Sequence, residues 1–346
     1  MSQQQESVTS SSSQDDTTPP STSSLPSNQQ YNRRPRMEPQ ISPQEKQHAI
    51  QLLAQKIQSI SEPSIIVLAG SGLSVASGIP DFRSPGIGIF VNGSLDKYNL
   101  PDPTAIFEKN YFMENPKPFY ELRREMFMKE YMPTKSHYFL KLLQDKNKLM
   151  RLFTQNIDGL ERKCGISKDL VVHCHGTFET YHCVKCKKEY SRKEVNEKLM
   201  TTTEQDTVPV PFCDACGQVL KPDIVMYGED LPEEFGKCVF SDLKKHKNCQ
   251  LFMVIGTSLQ VYPVALIPNY APQGTMRVLI NRERCGAFYN MQSAVREMDG
   301  VKNHHLDLYL GGQEDTIDSY IEQLVKELGW EEELQQLVEQ GPPTEL

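Results

Sequence analysis

The sequence predicts an α/β protein, a doubly wound parallel sheet with a small cysteine-rich subdomain. Three observations predict it. Short apolar runs such as Ile65-Ile66-Val67-Leu68 and Leu251-Phe252-Met253-Val254-Ile255 have the length and branching of strands buried on both faces. Two of these runs end in glycine-bearing turns, Gly70-Ser71-Gly72 and Gly256-Thr257-Ser258. Ligands of parallel sheets bind beyond such carboxyl ends. Finally, Cys183-x-x-Cys186 and Cys213-x-x-Cys216 stand 26 residues apart, two knuckles that together can fill four corners of a tetrahedron.

The totals set bounds. With 346 residues and 38% hydrophobic content, the chain can bury one large domain, or a domain plus a module. No apolar run reaches about 18 residues, so no membrane helix is expected. The polar N-terminus has no apolar h-region, so no secretory signal is expected. Nine cysteines in such a chain point to a reducing compartment and to metal ligation rather than disulfides. The formal charge of −8 argues against wholesale electrostatic binding of nucleic acid.

In chain order, Met1 to Gln40 is Ser, Gln, Thr and Pro with few aliphatics, and is expected to be disordered. Its basic patch, Asn32-Arg33-Arg34-Pro35-Arg36, reads as a solvated linker ahead of a nuclear-import signal. Ser42-Pro43-Gln44-Glu45 is a capping box, and Ile50, Leu53 and Ile57 then recur at helical spacing until about Ile60. The first strand follows. Glycine in Gly70-Ser71-Gly72 tolerates positive φ and lets a bound group come close. A helix starting there would point free N–H groups at a pyrophosphate. Val75 holds the third glycine place of the generic fingerprint, so an ordinary tight turn fits as well. The next loop, Ser77 to Gly86, gathers Asp81, Phe82 and Arg83, residues that a bare connector does not need.

From Asp102 to Asp145 the pattern is helical, with Phe119, Leu122 and Phe127 on one face and Phe139, Leu142 and Leu143 on another. Met150 to Thr154 is a strand that delivers Gln155-Asn156-Ile157-Asp158, suited to an amide and ribose hydroxyls, although Asp158 could equally cap a helix. Leu170-Val171-Val172 is a strand that delivers His173-Cys174-His175-Gly176. Strand alternation would put both histidines on one face. Four cysteines in one site imply a structural zinc with no open position. Cys164, Cys174, Cys238, Cys249 and Cys285 read as small buried hydrophobes. Val278-Leu279-Ile280 is a strand followed by Asn281-Arg282-Glu283, where an acid can hold ribose hydroxyls. Ile317, Ile321, Leu324 and Leu328 make an amphipathic helix, which Glu331 to Gln340 either prolongs or follows as a tail helix.

The run Gly70-Ser71-Gly72 with Ser77-Gly78-Ile79-Pro80-Asp81-Phe82-Arg83-Ser84 resembles the signature of the sirtuins, NAD-dependent protein lysine deacylases, with Ser71 where the family has alanine. Thr154-Gln155-Asn156-Ile157-Asp158, His175-Gly176-Thr177-Phe178, the cysteine pairs and Leu220 to Glu229 continue the resemblance, which covers roughly Ser42 to Trp330. It is nearest to the cytosolic eukaryotic sirtuins of the first class. The resemblance implies a Rossmann-like doubly wound parallel sheet with a zinc-ribbon and helical subdomain. It implies NAD as co-substrate, held by Gly70 to Val75 (Leu73 and Ser74 included), Asp81 to Arg83, Gln155 to Asp158, Gly256 to Ser258, Asn281 to Glu283 and Gln313. Within that set, Ile157 and Asp158 would hold the nicotinamide amide, and Gln155 and Asn156 would order the reacting ribose. His175 would be the general base, with Asn156 beside it as a catalytic residue. Val225, Met226, Tyr227, Gly228 and Glu229 would hold an extended peptide by β-augmentation. Met226 and Tyr227 replace two frequent phenylalanines.

The implied reaction moves an acetyl group from lysine to ADP-ribose: the acyl oxygen attacks C1′ as nicotinamide leaves, and His175 then deprotonates a ribose hydroxyl that attacks the acyl carbon. The products are lysine, nicotinamide and O-acetyl-ADP-ribose. The partners would be proteins bearing acetylated lysine, compatible with a negative chain meeting a basic substrate, with no membrane and no direct nucleic acid. Removal of longer acyl groups, ADP-ribosyl transfer, a weakly catalytic NAD-binding scaffold, and a zinc-ribbon nucleic-acid module with Lys185, Lys187, Lys188, Arg192 and Lys193 are the rivals. The expected organisation is a tail at 1–40, a catalytic domain at 41–176 and 228–330 with a helical lid near 100–146, a zinc ribbon at 177–227 and a tail at 331–346. The expected location is the cytoplasm, with shuttling to the nucleus left open.

Overall fold

The computed structural model describes residues 41–200, 210–245, 247–297, 306–312 and 315–343. The tail expected at 1–40 with its basic patch, Gln313 and Glu314 lie outside the described residues, as does the side chain of Phe127. Helix α1 (Pro43–Ser59) opens on the capping box: Ser42 Oγ accepts the Glu45 N–H, and the Glu45 carboxylate accepts the Ser42 N–H at 2.9 Å. Proline at its first position has no N–H to leave unpaired. Ala49, Ile50, Leu53, Ala54 and Ile57 form its buried stripe.

Strand β1 (Ile65–Ala69) is buried throughout. Side chains alternate across a strand. Ile65, Val67 and Ala69 therefore enter one apolar layer, and Ile66 and Leu68 the other. The order continues with α2 (Lys109–Glu114), α3 (Lys117–Phe127), α4 (Lys135–Asp145), β2 (Leu149–Thr154), α5 (Leu160–Lys163) and β3 (Val171–His173). Then come β4 (Gly176–Cys183), β5 (Glu189–Ser191), α6 (Arg192–Met200), β6 (Leu220–Ile224) and α7 (Glu233–Val239). The chain closes with β7 (Leu251–Ile255), β8 (Met276–Ile280), β9 (Val295–Glu297), β10 (Leu306–Leu310), α8 (Ile317–Leu328) and α9 (Glu331–Gln340).

Seven strands form one sheet in the order β3-β2-β1-β7-β8-β10-β9. Every pairing is parallel except β9 against β10. The chain builds outward from β1 to β3, then returns to β7 and builds the other way. That reversal between β1 and β7 opens a crevice beyond their carboxyl ends. Residues of α1, α4, α8 and α9 cover one face, while α7 and the 3-10 turns Val264–Tyr270 and Gly286–Phe288 cover the other. The second sheet, β5-β4-β6, is antiparallel. Its apolar cluster takes in Phe112, Phe119 and Leu122 from α2 and α3 and Val195 and Leu199 from α6.

The helical stretch near 100–146 thus divides. Helices α2 and α3 pack with the small sheet, whereas Tyr138, Phe139, Leu140, Leu142 and Leu143 of α4 join the core of the large one. Gly329, at φ 71°, stops α8, so α9 is a separate helix and Leu334 joins the core.

Two local expectations are corrected. The turn after β1 leads into a 3-10 stretch, Ser71–Ser77, and not an α-helix: Leu73 N–H bonds to Gly70 O and Gly78 N–H to Val75 O, three residues back. Gly70 sits at φ −133° and Gly72 is not among the positive-φ residues, so neither is needed for a left-handed turn. Their role is close approach. A Cβ on Gly70 would lie 2.6 Å from Thr257 Cβ, and one on Gly72 would lie 2.7 Å from Gly256 Cα. The turns after β1 and β7 pack backbone against backbone, which only glycine permits. Strand β3 also ends at His173, so strand alternation does not reach His175.

Candidate active site

A cavity of about 620 Å3 fills the crevice, a size typical of small-molecule sites. Its wall includes Gly70 to Leu73, Val75, Asp81 to Arg83, Gln155 to Ile157, His175, Val225 to Glu229, Gly256 to Ser258 and Asn281 to Glu283. Ser74 and Asp158 are not part of the wall. Ser74 is fully buried and donates to the Asp158 carboxylate at 2.8 Å.

The loop at 81–90 is ordered by its own acid. Asp81 accepts the N–H groups of Arg83 and Ser84 at 2.9 and 2.6 Å. Phe82 packs on Phe90 with centroids 5.5 Å apart, and the Arg83 guanidinium lies over the Phe90 ring. Arg83 also donates to the Tyr227 hydroxyl at 3.1 Å, and Arg282 donates to Ser84 Oγ. The loop is therefore tied to both sides of the cavity.

Asn156 is 4% exposed. Its Nδ2 donates to Gly70 O at 3.1 Å and to Ser74 Oγ at 3.3 Å, which leaves Oδ1 as its acceptor. Gln155 donates to Thr257 Oγ1 at 2.9 Å, joining the ends of β2 and β7.

His175 Nδ1 stands 3.0 Å from Gln155 O. A carbonyl can only accept, so Nδ1 carries the hydrogen and Nε2 carries the lone pair. That Nε2 is buried and has no protein partner. Burial pulls the His175 pKa below the ordinary value, only partly opposed by the Gln155 carbonyl. The result is a neutral base with a preset tautomer on the cavity wall. His173 is not part of that wall, and burial, with Arg162 nearby, pulls its pKa down to about 4. Gly176 explains how His175 comes so close to the small sheet: at φ 74°, a Cβ there would lie 1.9 Å from Asp223 O. Val225 N–H then donates to His175 O at 2.8 Å.

Within 225–229, Tyr227 N–H is bonded to Phe107 O, Met226 N–H to the Glu229 carboxylate and Glu229 N–H to Met226 O. Among the described residues, Gly228 is the one of the five whose N–H has no protein acceptor. Met226 is 1% exposed and belongs to the core of the small unit, whereas Tyr227 is 40% exposed. Burial would raise the Glu229 pKa, but Lys221 at 2.8 Å holds it below the usual carboxylate value.

The four paired cysteines meet. Cys183 and Cys216 Sγ are 3.3 Å apart, Cys186 and Cys213 Sγ are 3.6 Å apart, and all four lie within 4.8 Å of one another. A disulfide needs about 2.05 Å. A tetrahedral zinc with Zn–S of about 2.3 Å needs sulfurs about 3.8 Å apart, so the quartet fits a structural zinc. Tyr190 OH donates to Cys213 Sγ at 3.3 Å, steadying one ligand from outside.

Sequence reasoning missed part of the rim. Gln260, Val261 and Tyr262, and Asp315 to Asp318 at the head of α8, also line the cavity. Loop composition near Pro263 gives no signal for the first group. The second reads as a helix cap, and Thr316 does cap α8. Among the described residues no helix is long and apolar enough to cross a membrane.

The Sir2 family model matches residues 70–263. The NAD-dependent deacetylase sir2A of Dictyostelium discoideum is 45% identical over 298 residues, 85% of this chain and 54% of that protein. The alignment therefore spans about half of that relative. The NAD-dependent protein deacetylase sirtuin-2 of Danio rerio is 39% identical over 80% of this chain and 70% of its own length. The NAD-dependent protein deacetylase hst2 of Schizosaccharomyces pombe is 38% identical over 85% and 81%. Similarity of this extent makes the chain a member of the Sir2 family, the sirtuins.

Proposed function

We propose that this protein is an NAD-dependent protein lysine deacetylase. Its products would be free lysine, nicotinamide and O-acetyl-ADP-ribose. The observation that carries the reading is His175: a buried, neutral imidazole with its lone pair free on Nε2, set between the glycine turns and the peptide segment. When bound, NAD supplies an electrophilic ribose carbon and a nicotinamide leaving group. Gly70, Gly72 and Gly256 let the turns after β1 and β7 close on one another at the cavity wall, where the cofactor's phosphates would lie. Asn281 and Glu283 suit the adenosine ribose, and Oδ1 of Asn156 suits a hydroxyl of the reacting one. His175 Nε2 takes a proton from a ribose hydroxyl, raising its nucleophilicity toward the acetyl carbon. Val225 offers an apolar wall to the acetyl-lysine, and the loop at 81–90 excludes water.

Zinc, held by Cys183, Cys186, Cys213 and Cys216, would fix β4 to β6 and take no part in the reaction. We read Gly228 N–H as the point where a peptide strand adds. The substrates would be proteins carrying acetylated lysine. Nine cysteines with no disulfide among them suit a reducing compartment, and we place the protein in the cytoplasm.

The test is an acetyl-lysine peptide with NAD, followed for nicotinamide release and peptide mass. Stoichiometric nicotinamide with loss of one acetyl group supports the reading. Nicotinamide release with ADP-ribose gained by protein would mark a transferase, and NAD binding without turnover would mark a scaffold.

A further inference from the structure

Behind the cavity wall lies a second group of titratable side chains. A ring nitrogen of His137 on α4, a carboxylate oxygen of Asp158 and one of Glu161 on α5 lie within 4.8 Å of one another. His137 and Glu161 are both 0% exposed. The Thr134 backbone N–H points at His137 Nδ1 at 3.1 Å, so Nδ1 is an acceptor and the ring hydrogen is on Nε2. A histidine in that tautomer suits a hydrogen donor, not a metal ligand. Its Nε2 and the Glu161 Oε2 are both buried without a partner.

The two carboxyl groups differ in their surroundings. Burial raises the Asp158 pKa, but Asp158 accepts from the Leu160 N–H at 2.9 Å and from Ser74 Oγ at 2.8 Å, bonds that oppose the rise and favour its charged form. Glu161 takes one bond, from Thr154 Oγ1. Around it stand His137 from α4, Asp158 from the preceding turn, Cys164 at the end of its own helix and Cys174 after β3. Among the described residues no lysine or arginine pairs with it. Two anions this close, in a place without a cation, cannot both persist.

We infer that Glu161 carries a proton at neutral pH and, as the neutral partner of ionised Asp158, is a positioning residue for the nicotinamide end of the site. Its reach is short and traceable. Glu161 binds Thr154 Oγ1, which accepts the Asn156 N–H at 3.0 Å. Asp158 binds Ser74, which accepts from Asn156 Nδ2. Both routes end on the residue proposed to order the reacting ribose, so this inference deepens the deacetylase reading and rests on it. Burial, with Asp158 beside it, pushes the Glu161 pKa up to about 8. Ionisation above that point sets a second negative charge against half-buried Asp158, and their repulsion should shift the Asp158–Ser74 route to Asn156.

The experiment compares wild type with Glu161→Gln, which keeps shape and a donor, and Glu161→Ala, which keeps neither. Wild-type kcat/KM for NAD should fall severalfold between about pH 7.5 and 9 while Glu161→Gln holds level. At pH 7 Glu161→Gln should keep half or more of wild-type kcat/KM, and Glu161→Ala should lose tenfold or more. An alkaline fall that persists unchanged in Glu161→Gln overturns the positioning role. The thermal midpoint of ligand-free protein, read from about pH 6 to 9, is the second measurement. The advantage of Glu161→Gln over wild type should widen from about pH 6 to about pH 8, where folded Glu161 loses its proton, and level off above that; a constant difference below pH 8 overturns the proton assignment. That readout is independent of turnover. Absence of NAD-dependent activity in wild type at every pH would instead sink the deacetylase reading and leave the midpoint comparison to judge the proton.

Discussion

His175 and His173 stand two residues apart and differ in what holds them. His175 gives its Nδ1 hydrogen to Gln155 O, while His173 ends β3 away from the cavity wall. His175→Ala should lower acetyl transfer by roughly 10² to 10⁴. Base exchange with labelled nicotinamide should partly survive, because nicotinamide displacement needs no proton taken by His175. His173→Ala should keep most of the activity. Exchanged phenotypes would overturn the assignment. The His175 pKa is lowered, so its base form is lost only as pH falls through that lowered value, and an acid limb below the ordinary histidine range is expected in kcat. At this scale the sequence was informative through Gly176, whose missing side chain lets the chain after His175 pass against the Asp223 carbonyl. It was silent on Ser74 and Asp158 lying behind the wall, since depth depends on how the turn at 71–77 packs and not on residue type.

Among the elements, the cysteine knuckles were the most legible, because ligand spacing is a local property. Chelation is expected to lower the thermal midpoint, since structural zinc in small ribbons is worth on the order of 10 kcal/mol of folding free energy. Cys183→Ser with Cys213→Ser should lose zinc, read by metal analysis, and activity together; undiminished zinc content would refute the site. The short 3-10 stretch at 71–77 was not legible. Glycine read as a helix-start signal serves there to let two strand ends touch, a tertiary demand that no local pattern carries. Helix α4 likewise looked like its neighbours in sequence and sorted to the other core through contacts with distant α8 and α9.

For the whole molecule, strand character was legible from apolar runs, and strand order was implied by the family resemblance and not by periodicity. The tail and Gln313 remain outside the described residues. Buried histidines give the fold an acid limit. The folded pKa of His173 is about 4 and that of His137 about 3, both below the ordinary 6.5. The unfolded chain therefore binds more protons at pH below about 6.5, and stability is lost as pH falls from there toward those values. The slope is up to about 1.4 kcal/mol per pH unit for each group. Glu161, whose raised pKa makes the folded chain the better proton binder over the same range, opposes one of the two, so urea midpoints of Glu161→Gln between about pH 4 and 7 are the check, and a flat profile in that variant would exclude both histidine assignments.

The bond from Arg83 to the Tyr227 hydroxyl joins the loop at 81–90, proposed above to meet the dinucleotide, to the segment at 225–229, proposed to receive the peptide. Thermodynamic linkage then makes the two occupancies mutual: whatever the dinucleotide adds to peptide affinity, the peptide must return to the dinucleotide by the same factor. One hydrogen bond of about 0.5–1.5 kcal/mol sets the ceiling at roughly tenfold. Tyr227→Phe, which keeps the ring and removes the acceptor, should make the Kd for each ligand less sensitive to the presence of the other. Calorimetric titrations in both orders, expected to agree in that factor, measure how far the two substrates sense one another.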